Sequence, residues 1–171
     1  EYTGASADGW LGTSFSPDHP EALMQHLERG AKSAGRSLSD MELQTACTVV
    51  IGEDVEGMIE AQRAKVAFQM GAMGSAKTNF YNEAVQRAGY AEDAQAVQSL
   101  WVAGKRDEAR KRVPDAMITK FGAIGTPEMV RERFKVYKKV GISSLAFRFA
   151  DNDAKTNISQ LEQAMDLVKG L

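Results

Sequence analysis

The fold is decided by residues 125–149, which read GTPEMVRERFKVYKKVGISSLAFRF. Thr126 suits a helix N-cap, and Pro127 suits the first helical position, where its missing N–H costs nothing. Apolar residues then recur at helical spacing, and Gly141 is placed to end the helix. Apolar side chains alternate after it, as in a strand: Leu145, Phe147 and Phe149. A capped helix that leads into a strand is the repeating unit of an α/β protein.

The same alternation extends through the rest of the chain. We predict strands near 7–13, 43–51 and 144–149, with a helix over 21–34 between the first two and a closing helix over 157–168. This order implies a parallel sheet with right-handed crossovers in a single domain, residues 1–171. About three strands leave a parallel sheet with unfinished edges. We therefore expect the chain, which opens on Glu1, to begin inside a domain.

Residues 54–121 form the longest stretch without a strand pattern. Glycines and Pro114 divide it into several helical segments, and its length exceeds that of a simple α/β crossover. We predict a helix-rich insertion packed beside the sheet. Met58, Met70 and Met73 fall at helical spacing, which favours core packing over a flexible binding surface.

Composition excludes several classes of protein. The formal charge is −2 with 26% charged residues, which favours neither nucleic acid nor a membrane surface as a partner. No apolar run approaches the 18 residues or so of a spanning helix. Cys47 is the one cysteine, so no internal disulfide can form, and a reducing, cytoplasmic location fits. With no basic residue beside it, Cys47 is predicted to be a buried strand residue rather than a reactive thiol.

Ligands of parallel α/β proteins bind at the carboxyl ends of the strands. The first such segment, Leu11–Pro17, is the most suggestive, because Thr13, Ser14 and Ser16 offer hydroxyl groups beside the flat ring of Trp10. The alternative is a plain polar loop in which Ser16 or Asp18 caps the next helix.

Other candidate sites have simpler structural explanations. Gly125 and Thr126, before a helix, could hold a phosphate through backbone N–H groups, although plain capping is favoured. Asp151 and Asp153 resemble a carboxylate pair, but a solvated turn is favoured since no third ligand is near in sequence. The histidines lack partners at metal spacing and are predicted to lie at the surface: His19 and His26. We predict no metal site.

Several segments together resemble a known family. They are Thr3–Gly12 (TGASADGWLG), Gly35–Arg36, Asn79–Asn82 (NFYN), Arg87–Tyr90 (RAGY), Ala103–Gly104, Glu108–Ala109, Val113–Asp115 and Gly125–Val130 (GTPEMV). Their order and spacing resemble the luciferase-like monooxygenase family. The resemblance is strongest to the branch that uses the 8-hydroxy-5-deazaflavin coenzyme, coenzyme F420, and it runs over nearly all of the chain.

The resemblance implies a (β/α)8 TIM barrel of about 300 residues or more. By this resemblance the chain supplies the C-terminal part, with the last three strands and the insertion, and the first five strands are absent. No catalytic residue can be carried over. The residues expected to contact the coenzyme are Trp10, Thr13, Ser14, Gly125 and Thr126.

The resemblance implies an oxidoreductase that transfers a hydride between coenzyme F420 and a small organic substrate. The chain alone is then expected to be inactive, and its open edges to pair with a second copy or with the missing N-terminal part. One alternative is an FMN-dependent monooxygenase of the same family. The other is a partial barrel that binds a partner and has no cofactor.

Overall fold

The computed structural model describes residues 1–75, 77–149 and 153–171. A parallel sheet of four strands runs through it: β1 Gly9–Gly12, β2 Glu42–Ile51, β3 Gly122–Gly125 and β4 Ser144–Phe149. The helices are α1 Tyr2–Ser6, α2 Glu21–Ser33, α3 Val55–Ala72, α4 Phe80–Val85, α5 Ala91–Val102, α6 Arg106–Arg112, α7 Asp115–Thr119, α8 Pro127–Lys139 and α9 Ala154–Val168. The three predicted strands and the helical insertion are present, within a few residues of the predicted bounds.

The long strand β2 organises the sheet. β4 pairs with residues 44–49 of β2, β1 with residues 42–45 and β3 with residues 48–51. Because β1 and β3 each overlap β4 along β2, both must lie on the edge of β2 opposite β4. β1 therefore occupies the first half of that edge and β3 the second half.

β3 is a strand that sequence analysis did not predict, so the expected count of about three strands is corrected to four. Its sequence is Gly-Ala-Ile-Gly, and two glycines in four residues give little strand propensity. All four residues are buried, and the Gly125 carbonyl accepts a hydrogen bond from Gly52 N at 3.0 Å. The strand forms because β2 offers an unfilled edge, which is a tertiary effect.

The two faces of the sheet have different coverings. Alternate residues of β2 are buried against α2, α8 and α9: Leu43, Thr45, Cys47, Val49 and Ile51. The intervening residues, Gln44, Ala46, Thr48 and Val50, are only partly buried. On this second face the helices of the insertion pack only toward the carboxyl end of β2. There Val50 and Ile124 contact the apolar core of the insertion. The first half of the second face is therefore uncovered by the described residues, and Leu11 there is 80% exposed.

Buried amides hold the insertion together. Asn82 is 1% exposed, and its Nδ2 donates to the carbonyls of Met70 at 3.0 Å and Ala94 at 2.7 Å. Asn79 caps α4 by accepting from Asn82 N, and its own Nδ2 donates to the carbonyls of Gln69 and Met70. These bonds satisfy carbonyls at the end of α3 that have no partner within the helix. The NFYN segment therefore joins α3, α4 and α5.

Candidate functional site

A polar groove lies between α3 and the second face of the sheet, over Thr48 of β2, the amino end of β3 at Gly122 and Arg148 near the carboxyl end of β4. Its volume is ≈ 100 Å³. The polar side chains that line it are Thr48, Gln62, Lys65, Gln69 and Arg148. Its other lining residues are Val66, Met117, Ile118, Phe121, Gly122 and Ile124. We call this site the α3 groove.

The local folding of α3 and the sheet explains why these polar groups face each other. Gln62, Lys65 and Gln69 are spaced by three and four residues, so they share one face of α3. Thr48 and Arg148 are partners in the β2–β4 register, so both side chains project from the same face of the sheet. The groove therefore combines one helix face with one sheet face.

The electrostatic character of the α3 groove is positive. Lys65 and Arg148 are both exposed, and neither forms an ion pair with any described residue. No carboxylate is among the residues that line the groove. Gln62 is only 8% exposed, and its amide makes no hydrogen bond within the described part of the chain. The amide atoms themselves are not fully buried, so they can donate to and accept from a group that enters the groove.

A second, larger pocket adjoins the groove, and Gln62 lines both. This pocket has a volume of ≈ 460 Å³ and lies between α3 and α9, over the ends of β2 and β4. Asp54 there is committed to capping α3, since its Oδ1 accepts from Gly57 N at 3.0 Å. Apolar residues contribute much of the remaining wall: Val49, Val50, Met58, Ala61 and Phe149.

The residues predicted to contact the coenzyme fall into two separate groups. Gly12, at the end of β1, pairs with Thr45, whereas Gly125, at the end of β3, pairs with Ile51. Thr45 and Ile51 are six residues apart along β2, which places the two strand ends roughly 20 Å apart. The structure therefore does not bring Trp10, Thr13 and Ser14 together with Gly125 and Thr126. Neither group lines the α3 groove.

The first group has a clear structural environment. The Trp10 ring lies over Gly12 and meets Phe15 edge-on at 5.8 Å, on the helix-covered side of the sheet. Thr13 is exposed, and Ser14 has a φ of 52°, in the left-handed region. A contact of this group with a coenzyme stays a prediction.

The second group shows the predicted capping role. Thr126 Oγ1 accepts from Met129 N at 3.4 Å, and Pro127 occupies the first turn of α8. An additional anion-binding role for Gly125 and Thr126 stays a prediction.

The alternative role given to Ser16 and Asp18 was wrong, because neither caps α2. Asp18 instead pairs with Arg133 of α8 at 2.5 Å, and that guanidinium lies 5.5 Å from the Tyr137 ring centroid. The Ser16 hydroxyl is buried and has no hydrogen-bond partner among the residues that the structure describes. These contacts tie the loop after β1 to α8.

The other candidates are accounted for as follows. Asp151 lies outside the described residues, and Asp153 caps α9 by accepting from Thr156 N at 2.8 Å. His19 lies 3.4 Å from Glu21, and His26 Nδ1 lies 2.6 Å from an Arg29 nitrogen. Among the described residues, no cluster of three or more metal-ligating side chains occurs. Nor does any helix of the described part have the length and apolarity to cross a membrane.

Cys47 is a buried strand residue, as predicted, with no exposed surface. Burial raises the pKa of its thiol from 9.0 to about 11, against smaller lowering effects from the Tyr137 hydroxyl and the Arg133 charge. The thiol therefore stays protonated near neutral pH and has little nucleophilic character.

Sequence reasoning missed the residues of the α3 groove. Arg148 was a visible signal, because it is a charged side chain within an otherwise apolar strand near its carboxyl end. The spacing of Gln62, Lys65 and Gln69 was a second signal. No local sequence pattern specified that α3 packs over the second face of the sheet.

Comparison with known proteins places this geometry in a family. Residues 1–144 match the sequence model of the luciferase-like monooxygenase family. The chain belongs to that family. The family resemblance inferred from the GASADGW and GTPEMV segments is thus confirmed, over residues 1–144.

Two curated relatives are similar to this luciferase-like chain. A putative coenzyme F420-dependent oxidoreductase of Mycobacterium tuberculosis is 29% identical over 140 residues, which cover 81% of this chain and 40% of the relative. The 5,10-methylenetetrahydromethanopterin reductase of Methanopyrus kandleri is 29% identical over 144 residues, which cover 83% and 39%. The chain thus spans well under half the length of these relatives.

Solved structures confirm the fold. The coenzyme F420-dependent tetrahydromethanopterin reductase of Methanopyrus kandleri superposes with a TM-score of 0.70 and 25% identity, over 95% of this chain and 45% of that one. An F420-dependent secondary alcohol dehydrogenase, in complex with an F420–acetone adduct, superposes with a TM-score of 0.64 over 97% of this chain and 44% of that one. Its sequence identity is 17%, so it supports the fold alone. The chain has an α/β fold that matches part of a TIM barrel.

Proposed function

We propose that the protein containing this chain is an oxidoreductase that uses coenzyme F420 and transfers a hydride between it and a small organic substrate. The observation that carries the proposal is the similarity to the F420-dependent reductase of Methanopyrus kandleri, which extends over 95% of this chain. The relative from Mycobacterium tuberculosis is also described as F420-dependent.

The residues at the carboxyl end of the sheet fit an organic ligand. The larger pocket, at ≈ 460 Å³, has the usual size of a small-molecule site, and its wall is largely apolar with a few polar groups. The α3 groove beside it offers the buried Gln62 amide and two cationic side chains. Such an arrangement suits a flat apolar body that carries a polar or charged substituent.

Coenzyme F420 supplies the redox chemistry when bound, and the chain's own residues bind it, orient it and exclude water. Gln62 and Arg148 would fix the ligand's position through directional hydrogen bonds, while Val49, Val50 and Phe149 would exclude water from one side of it. The contacts expected of Trp10, Thr13 and Ser14 belong to the proposal too, as does the contact of Gly125 and Thr126. Because of their separation, each group would contact a different part of the coenzyme.

The test is cofactor binding by the full-length protein that contains this sequence. Coenzyme F420 and FMN are titrated in parallel and followed by the change in their own fluorescence, and turnover is then followed by the absorbance of the deazaflavin. We expect saturable binding of coenzyme F420, weaker binding of FMN and substrate-dependent change in the deazaflavin absorbance. Residues 1–171 alone serve as the comparison and are expected to be inactive.

The opposite result would favour the alternative cofactor, FMN. Tight binding of FMN with oxygen consumption, and no binding of coenzyme F420, would make the protein a flavin-dependent monooxygenase, in keeping with the family's description.

A further inference from the structure

The α3 groove contains an unusual set of side chains for the surface of a protein with a net negative charge. Its polar lining consists of two cations, two amides and one hydroxyl, with no carboxylate. The formal charge of the whole chain is −2, so acidic residues are plentiful elsewhere. On the same helix, Glu60 is bound to Arg63 and Arg110, and its carboxylate is thus already paired. The positive charge of the groove is therefore not neutralised by any carboxylate in its lining.

Gln62 is the strongest single observation. Its side chain is 8% exposed, lines both the α3 groove and the adjoining pocket, and has no hydrogen-bond partner in the described part of the chain. Neither amide atom of Gln62 is among the fully buried polar atoms that lack a partner, so the amide is accessible from the cavities that it lines. A ligand that accepts a hydrogen bond from the amide would supply the missing partner.

The size of the groove limits what enters it. A volume of ≈ 100 Å³ is well below the 300–1,000 Å³ or so of a complete small-molecule site, but it accommodates one small charged group. The adjoining pocket of ≈ 460 Å³ would hold the body of the same ligand. Gln62, at the boundary, would contact the junction between the two.

We propose that the α3 groove binds the oxyanion group, a phosphate or a carboxylate, of a small organic ligand whose body occupies the adjoining pocket. Arg148 donates to the oxyanion from the sheet side and Lys65 from the helix side, while Gln62 donates from beneath. Arginine presents a planar fork of donors that matches both kinds of oxyanion. The identity of the ligand as coenzyme or substrate rests on the proposed function. The preference of the groove for an anion does not.

The test uses three substitutions in the full-length protein that contains this sequence. Arg148→Gln and Lys65→Gln each remove a charge from an exposed side chain, and Gln62→Leu removes the buried amide at nearly constant volume. Lys32→Gln is the matched control, since Lys32 is an exposed lysine on α2, which packs on the opposite face of the sheet. Binding of coenzyme F420 is measured by fluorescence, and binding of inorganic phosphate by ¹H–¹⁵N shifts of the labelled protein.

We expect Arg148→Gln to weaken binding of at least one of the two probes about tenfold or more, which is the usual effect of losing a charge-assisted hydrogen bond. Lys65→Gln should weaken the same probe by a smaller factor, and Lys32→Gln should leave it unchanged. Gln62→Leu should weaken the same probe while leaving the melting temperature unchanged or raising it. A lower melting temperature with unchanged binding would instead show that Gln62 is structural, and would overturn its part in the proposal.

The two probes separate the possible outcomes. Loss of coenzyme F420 binding in the groove variants assigns the oxyanion to the coenzyme. Unchanged coenzyme binding with loss of phosphate binding assigns it to the substrate. If the natural protein binds coenzyme F420 and every variant binds both probes equally well, the groove proposal is overturned while the proposed function stands. If phosphate binding depends on the groove but coenzyme F420 does not bind at all, the proposed function fails and the groove proposal stands.

Discussion

Cys47 lies in the middle of β2, on the helix-covered face of the sheet, and its thiol is fully buried. Its pKa is raised by burial from 9.0 to about 11. Between these two values the unfolded chain has lost the thiol proton while the folded chain retains it. The free energy of unfolding should therefore fall as the pH rises from 9 to 11, by about 2–3 kcal/mol from this group. Below pH 9 this contribution is fully present.

Urea unfolding at a series of pH values measures this effect. Cys47→Ala should unfold with a shallower dependence on pH over the same window, because the titrating thiol has been removed. Tyr137 remains in both proteins, and its pKa is raised by burial and, to a smaller extent, by Cys47 beside it; removing Cys47 reduces that rise, which also makes the pH dependence shallower. Equal slopes in the two proteins would show that the Cys47 pKa is not raised.

Cys47 and Gln62 illustrate what a sequence can reveal about single residues. The alternation Leu43, Thr45, Cys47, Val49, Ile51 specifies which face of β2 is buried, so the state of Cys47 follows from its neighbours along the chain. Gln62 lies on α3, so its burial depends on where that helix packs. Polar residues on helices are normally exposed. Its burial therefore required the structure.

At the level of elements, a single side chain joins α9 to the end of β2. The described part of β4 reaches Phe149, opposite Val49, and within the described residues the backbone groups of Ile51 on that edge have no strand partner. The Gln160 side chain takes the place of a strand partner for Ile51. Its Nε2 donates to the Ile51 carbonyl at 2.9 Å, and its Oε1 accepts from Ile51 N at 2.7 Å. The amide thus extends the ladder by one residue.

We expect Gln160→Leu to lower the free energy of unfolding by about 1–3 kcal/mol, because both backbone groups of Ile51 lose their partner in a partly buried site. Gln163→Leu is the control, since Gln163 is an exposed residue on the same helix that bonds only to Ser159. That change should lie within about 0.5 kcal/mol of the natural protein. Similar losses for the two variants would mean that helix propensity or surface change, and not the Ile51 contact, sets the effect.

The elements differ in how well the sequence specified them. The long strand β2 and the capped helix α8 carry strong local patterns, so both were predicted within a few residues. β3 has only four residues and depends on the unfilled edge of β2. The groove depends on the same long-range packing, since its lining comes from β2, α3, α7, β3 and β4. Local patterns therefore gave the elements, and their packing against one another gave the site.

At the scale of the whole molecule, an apolar groove runs along α8, β4 and α9. Its volume is ≈ 710 Å³, and its apolar lining includes Leu145, Phe147, Leu161, Met165 and Val168. Leu161 and Met165 are 42% and 49% exposed. Beside them, β4 pairs with β2 alone within the described residues, so its second edge has no strand there. An open strand edge next to exposed apolar side chains favours association with another chain.

We expect residues 1–171, prepared on their own, to self-associate through this groove. Light scattering coupled to size exclusion should show a mass that rises across a roughly hundredfold range of protein concentration. The double change Leu161→Lys with Met165→Lys places two charges in the groove and should return the chain to a monomer, because burying an unpaired ammonium group is strongly unfavourable. Ser159→Lys with Gln163→Lys adds the same charge at other exposed positions of α9 and should leave the association intact. If the unchanged chain stays monomeric throughout the concentration range, this surface is not an interface between copies. If both double changes dissociate the chain equally, the added net charge and not the groove causes the dissociation.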